Sequence, residues 1–426
     1  MKGWRRILLL LLMGGAGVVA SRVGAQTSLG PPAPTNSEPP PVQRAASGPP
    51  KQGFSFNPAA GMVYQSGDFR VSAWGFVERA IDPDGPDYFR RVRQGAEIDL
   101  PRISDHLRLA GVYEFDLTDT NAFGINPGPA GAFGTRDAEN LFVAIQDADD
   151  PGKFRLLVGE NTHILSRDDN LSSGNLPTIN RSLILEEHGS VNSFGTQFGV
   201  ELQKALSDRV TVQLAALDNR GSLNTPDPRY SVGNSLSGKV ILTPINADGR
   251  KLTIGAAVDR TGDIRDRVFT LATAIGAKPL GGVAATGNKL TGEADIAYTF
   301  PLLGHATTVE CEAIYSRFSG SDSDVGGGYA MVQLSLFDAP HSGDLDLFAR
   351  YDMVSLGIAS IAGRATQTAL RAGINYNLPY THKLASLHFE YAHNTLSGPA
   401  AIVTDGTPGD EVRAVLRVSL QRYTRH

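Results

Sequence analysis

One cysteine, Cys311, stands in a chain of 426 residues, so no intrachain disulfide can staple the fold. Cys311 shares a strand face with Val309, Ala313 and Tyr315 and reads as a small packing residue. Lysine is scarce. Past the N-terminus no stretch offers the roughly 18 uninterrupted apolar residues of a spanning helix. A basic excess is missing too. Removing the leader residues Lys2, Arg5, Arg6 and Arg22 takes the formal net charge from −5 to −9. A nucleic-acid binder is normally basic, and that class is set aside. Nothing calls for a cofactor or a metal. Ser321–Asp324 reads as a solvated loop tip, and Gly282-x-x-x-x-Gly287-Asn288-Lys289 has phosphate-loop spacing with Asn where Lys belongs.

The chain opens with a secretory signal peptide. Lys2, Arg5 and Arg6 form its basic region, Ile7–Met13 its apolar core, and Val23-Gly24-Ala25 its cleavage site, giving a leader over 1–25. Residues 26–66 are Pro-rich from Pro31 to Pro50 and cannot bury a core, so they are expected to form a flexible periplasmic tail. A third region, 67–426, repeats one unit: a ten-residue stretch of alternating polarity, a short turn, another such stretch and a longer polar loop.

Val92 to Leu100 shows the pattern. Val92, Ala96, Ile98 and Leu100 share one face, and Arg91, Arg93, Glu97 and Asp99 the other. About 9–11 tilted residues cross a bilayer, and apolar-out, polar-in alternation is how outer-membrane barrels are written. Sixteen such stretches can be counted between residues 69 and 423. The fold class expected is all-β: a transmembrane antiparallel barrel with periplasmic turns at one end and external loops at the other, in the outer membrane of a Gram-negative cell. Val268 to Ala277 is assigned to the fifth external loop, because counting it as a strand would make the number odd. The third long connection, Asn161 to Ser193, carries Leu183-Ile184-Leu185 and is expected to fold inward and pack on the wall. It would bring His163, Arg167, Asp168, Asp169 and Arg181 to the constriction. His163, Ser166, Asp168 and Asp169 also suggest a hydrolase, but nothing in their spacing sets up a nucleophile, a base and an orienting group. An enzyme is not expected.

Several runs carry a resemblance. Asp87-Tyr88-Phe89-Arg90-Arg91-Val92-Arg93-Gln94-Gly95, Phe154-Arg155-Leu156-Leu157-Val158-Gly159-Glu160 followed by Ser172–Leu183, Phe348-Ala349-Arg350-Tyr351-Asp352 and Leu370-Arg371-Ala372-Gly373-Ile374-Asn375-Tyr376 resemble, in order and spacing, motifs of the phosphate-selective porin O and P family. The resemblance implies a trimeric sixteen-stranded porin that conducts anions past a ladder of arginines.

The residues themselves argue both ways. Strand two puts Arg91 and Arg93 on the inner face, and strand sixteen adds Arg413 and Arg417. Arg350 and Arg371 lie on neighbouring strands further round. Such a basic wall favours anions, and arginine's planar fork suits phosphate or carboxylate. Against this, Arg91 should lie near Asp116, Arg93 near Glu114 and Arg108 near Asp99, as ordinary cross-strand pairs. Glu293, Asp295, Glu310 and Glu312 make another wall acidic. The function expected is a passive channel for small hydrophilic solutes that prefers anions such as phosphate or organic acids. The alternatives are a general or sugar-permeable porin with a transverse field, and an outer-membrane barrel hydrolase. Its partners are outer-membrane lipid, small anionic or polar solutes and two further copies of itself. One departure stands out: the chain ends Tyr423-Thr424-Arg425-His426, where a barrel usually closes on an aromatic in phase with the lipid face.

Overall fold

The computed structural model describes residues 52–57, 61–81, 88–116, 137–162, 164–170, 176–179, 181–185, 196–218, 234–271, 278–339, 343–379, 384–399 and 409–419. Two short strands come first, β1 (Gly53–Asn57) and β2 (Gly61–Ser66). Sixteen more follow: β3 (Phe69–Ile81), β4 (Tyr88–Arg102), β5 (Leu107–Asp116), β6 (Asp137–Asp147), β7 (Phe154–Thr162), β8 (Thr196–Ser207), β9 (Val210–Asp218) and β10 (Asn234–Ala247) form the first half. The second half is β11 (Arg250–Leu271), β12 (Lys278–Leu302), β13 (His305–Phe318), β14 (Ser323–Ala339), β15 (Gly343–Ile358), β16 (Arg364–Asn377), β17 (Ala385–Ser397) and β18 (Asp410–Ser419).

From β3 to β18 each strand pairs antiparallel with the next, and β18 returns to β3, Ala414 facing Ile81 and Ser419 facing Phe76. The result is a closed sixteen-stranded antiparallel barrel. Closure leaves no open sheet edge in the wall.

The inner and outer faces follow the alternation. Along β13, Glu310, Glu312, Ile314, Ser316 and Phe318 are buried, while Val309, Cys311, Ala313 and Tyr315 are more open. Along β10, Ser235, Ser237 and Lys239 are buried and Leu236, Val240 and Leu242 exposed. The outer surface is therefore apolar and the interior polar, the reverse of a water-soluble protein. At one end the turns are tight. Between β10 and β11, Asp248 and Gly249 both adopt positive φ (55° and 69°), the backbone of a two-residue hairpin turn whose twist matches the strands it joins. This is the turn end; the longer connections lie at the loop end.

The sheet begins earlier than the Pro-rich composition suggested. Residues 53–66, read from sequence as part of a flexible tail, form β1 and β2. Strand β2 pairs with β3 from Met62↔Ala73 to Ser66↔Phe69, continuing along β3 the line on which β18 stops. The physical reason is local: Gly61–Ser66 alternates in polarity, and Gly67 at φ 61° turns the chain straight into β3. The leader 1–25, the remainder of the tail to residue 51 and the terminal residues 420–426 lie outside the described residues.

Strands β11 and β12 run to 22 and 25 residues, more than a tilted crossing needs. Val268 pairs with Ala284 and Leu271 with Lys278, so the apolar stretch beginning at Val268 lengthens β11 rather than adding a strand. Residues 272–277 lie outside the described residues. Gly282–Lys289 falls inside β12, with no helix after it to cradle a phosphate. Among the described residues no helix is long and apolar enough to cross a membrane.

Candidate functional site

The connection leaving β7 turns into the barrel. Its apolar residues lead the way. Leu165, Leu183, Ile184 and Leu185 are buried in one cluster with Ile264 of β11, Ala285 of β12, Ile314 and Phe318 of β13, and Val354 and Leu356 of β15. These wall residues lie on the inner face towards the loop end. The interior of a sixteen-stranded barrel is normally polar, and this apolar patch is the seat of the loop. Each fully buried aliphatic side chain stabilises the docking by about 1.5–3 kcal/mol. Two further anchors lie along the segment: Ile164 packs on Ala215 and Leu217 of β9, and Ile179 on Ala80 of β3 and Val415 of β18.

Polar contacts then fix the loop strand by strand. Lys239 on β10 donates to the Leu165 carbonyl at 2.6 Å and lies 3.3 and 3.1 Å from Glu293 and Asp295. Arg167 opens the one-turn helix α1 (Arg167–Asn170) and pairs with Glu310 on β13 at 3.3 Å. The Asp168 amide donates to Glu312 at 3.0 Å. Further round, Arg371 donates to the Arg181 carbonyl, Asn375 to the Pro177 carbonyl, and the Ile179 amide to Glu390.

The centre of this clasp is Arg350 on β15, fully buried. It reaches both oxygens of Asp168 (3.0 and 3.4 Å), Thr178 (3.4 Å) and Asp352 (3.0 Å), and its guanidinium lies 3.7 Å from the Tyr329 ring centroid. Burial pushes the Asp168 carboxyl up. The Arg350 charge and hydrogen bonds, with the amide of Ser182 at 2.7 Å, outweigh it and hold the group below the usual carboxylate range. Arg350 and Arg371 face each other directly in the β15–β16 register. Two like charges so placed repel. Asp352 resolves this by pairing with both, at 3.0 and 3.2 Å.

The other arginines singled out from sequence also sit on carboxylates. Arg93 is 3.5 Å from Glu114, Arg108 is 3.0 Å from Asp99, and Arg417 is 2.7 Å from Glu78. Arg413 pairs with Glu411 and lies 3.7 Å from Glu390. The side chains of Arg91, Asp116 and Asp169, and all of His163, lie outside the described residues. Both oxygens of Asp168 are engaged, by Arg350 and by the Ser182 amide.

The lumen-facing pairs are layered. The carboxylate is rooted in the wall and the longer basic side chain lies above it. Arg155 is 27 % exposed over Glu201 at 5 %, Arg167 29 % over Glu310 at 5 %, and Arg108 17 % over Asp99 at 3 %. Carboxylates are the more numerous class among the buried charged residues. Water in the lumen nonetheless meets guanidinium first in these pairs. Sequence reading did not single out Lys239, Glu390, Glu411 or Arg155 as site residues. Arg155 stood within a quoted motif; its inner-face position two residues before Leu157 was the available signal.

No family model matches the chain, and no curated protein sequence matches it. Solved structures do. OmpT, an outer membrane protein of Vibrio cholerae, superposes with a TM-score of 0.55 at 12% identity, covering 84% of this chain and 99% of that one. The trimer form of that protein gives 0.52 at 13%, covering 82% and 98%. OmpF of Salmonella typhi in complex with daunomycin gives 0.50 at 12%, covering 83% and 98%. At such identities the likeness is one of fold: a barrel closed over nearly the whole of both chains.

Proposed function

We propose that this protein is an outer-membrane porin, a passive water-filled channel for small hydrophilic solutes with a weak preference for anions. The observation that carries the reading is the connection after β7, whose described residues 164–170, 176–179 and 181–185 are clasped to the inner wall of a closed barrel by Arg350 and an apolar seat. A barrel with an apolar exterior belongs in a bilayer, and sixteen strands enclose an aqueous lumen. A loop fixed inside narrows that lumen without filling it. The turn end then faces the periplasm and the loop end the cell exterior. The homotrimer expected from the family resemblance is the assembly we infer, and one structural relative is itself described as a trimer.

The anion preference rests on the layering of charge. An ion in transit responds most to charges that are close and least screened. Those are the partly exposed side chains of Arg108, Arg155 and Arg167. Because each has a carboxylate beneath it, the net field is small and the preference modest. The same pairing argues against a tight phosphate ladder, since Arg350, Arg371 and Arg417 are already bound to carboxylates.

The test is reversal potential and single-channel conductance of the refolded protein in planar bilayers under a potassium chloride gradient. Discrete openings with a reversal potential displaced towards that of chloride are expected. Absence of channels from folded protein overturns the porin reading; cation selectivity overturns the anion preference alone.

A further inference from the structure

Near the turn end, five inner-face side chains form one continuous row from β5 to β9. Arg108 of β5 pairs in register with Gln146 of β6, Gln146 with Arg155 of β7, Arg155 with Gln203 of β8, and Gln203 with Gln213 of β9. Neighbouring strands lie about 4.8 Å apart, so the two arginines are roughly 10 Å apart at their Cα atoms with an amide between them. Arg70 of β3 borders the row, because it lies in register with Asp99, the carboxylate that Arg108 meets at 3.0 Å.

These donors are poorly used. Among the described residues the guanidinium of Arg155 makes no hydrogen bond, and its carboxylate neighbour Glu201 is 3.6 Å away. Glu201 instead accepts from Asn161 at 2.7 Å. The Nε atoms of Arg108 and Arg155 are buried without a hydrogen-bond partner among the described residues. So is the amide nitrogen of Gln146, a side chain 4 % exposed that stands between them. A buried donor left unsatisfied is costly, and three in one row call for an acceptor. Gln213 donates to Gln203 at 2.9 Å and Gln203 to the Gly152 carbonyl at 3.2 Å, which steadies the far end of the row.

We infer that the row Arg108–Gln146–Arg155, with Arg70 at its edge, is a docking site for short dicarboxylates at the periplasmic mouth of the channel. One carboxylate would meet each guanidinium and the Gln146 amide would donate between them. The forked guanidinium matches a planar carboxylate, and two forks set this far apart match two such groups on one small molecule better than one tetrahedral anion. Glu97, Asp99 and Glu201 balance the positive charge, which keeps the site weak and quick to release. A conducting pore needs that: binding favourable enough to admit a solute and loose enough to let it go.

The inference rests on the porin reading, and the experiment separates the two. Channels in a planar bilayer carry chloride current while succinate, acetate or inorganic phosphate is added on the turn-end side. Succinate should reduce the current at millimolar concentration, with acetate and phosphate much weaker. Arg108→Gln together with Arg155→Gln should raise the half-blocking succinate concentration about tenfold or more, from the loss of charge-assisted hydrogen bonds. Gln146→Leu, nearly the same shape, should raise it severalfold without disturbing the ion pairs. Arg364→Gln, on the outer face beside Asp324, should leave block unchanged. A folded channel that succinate blocks equally well in the double variant, or that phosphate blocks as strongly as succinate does, overturns the site. A folded protein that opens no channels overturns the porin reading instead.

Discussion

Two walls of one lumen use the same residue types to opposite ends. On the wall from β10 to β17 the charges are buried and crowded with partners: Arg350 holds Asp168, Asp352 and Thr178 and stacks on Tyr329, and Lys239 lies between Glu293, Asp295 and a loop carbonyl. On the wall from β5 to β8 the side chains of Arg108 and Arg155 are partly exposed, each beside one carboxylate. The difference is the loop. Where it lies against the wall it removes water, so every charge must find a protein partner or incur a desolvation penalty of several kcal/mol. Where it does not, water solvates the guanidinium and the pair can stay loose. Charge on the covered wall is architecture; charge on the open wall is available to solutes.

Removing the loop breaks the comparison most directly. Deleting Asp168–Ser182 should raise single-channel conductance severalfold, because the strap occupies lumen that ions would otherwise cross. An unchanged conductance from folded barrels would mean the strap does not set the constriction.

Next in size is Arg350→Met. It leaves Asp168 as a buried carboxylate without its cation and Asp352 with Arg371 alone, and breaking such a buried pair costs about 3–5 kcal/mol. Thermal unfolding should fall markedly and current noise should rise as the loop works free. Adding Asp168→Asn should recover part of the loss, so the two effects should not add. Additive effects would show that Arg350 does not hold the loop through Asp168.

The open wall should behave otherwise. Arg108→Gln with Arg155→Gln is expected to move the reversal potential towards cations with only a modest fall in unfolding temperature. Arg371→Glu on the covered wall is expected to do the reverse, lowering stability because the new carboxylate would face Asp352 and Glu390. Identical behaviour of the two walls would erase the distinction.

The smallest effect is in pH. The Asp168 carboxyl is held below the usual range by Arg350 against the opposing pull of burial. A group with a depressed folded pKa contributes stability that is present above its unfolded value, near about 4, and lost as pH falls through the lower folded value. The Asp168 contribution to clasping should therefore be constant from pH 7 down to about 5. It should weaken only in acid below that, and should be absent in Asp168→Asn.

Much of the barrel was legible because a strand's period is two and the outer face must be apolar throughout. That rule alone separates Ile98 and Leu100 from Arg93 and Asp99, and it counts sixteen strands. It failed where composition overrode pattern. Gly53–Ser66 sits next to a Pro-rich run and was read as tail, although Gly61–Ser66 alternates and Gly67 makes its turn. The loop's apolar triplet, Leu183-Ile184-Leu185, was legible as an anchor, but its seat was not. Ile314, Phe318, Val354 and Leu356 sit at inner positions of four-residue windows that look like any other strand.

The sequence by itself determined the alternation, the strand number and which face of each strand carries charge, since these depend only on neighbours along the chain. The tertiary structure alone decided which charges are free to act. Arg155 and Arg350 both follow a small or aromatic residue on an inner strand face, and no local feature distinguishes them. One faces the open lumen and the other lies beneath a loop whose Asp168 stands 182 residues earlier in the chain. Burial sets the cost of a charge, and burial is a property of what else arrives at that point in space.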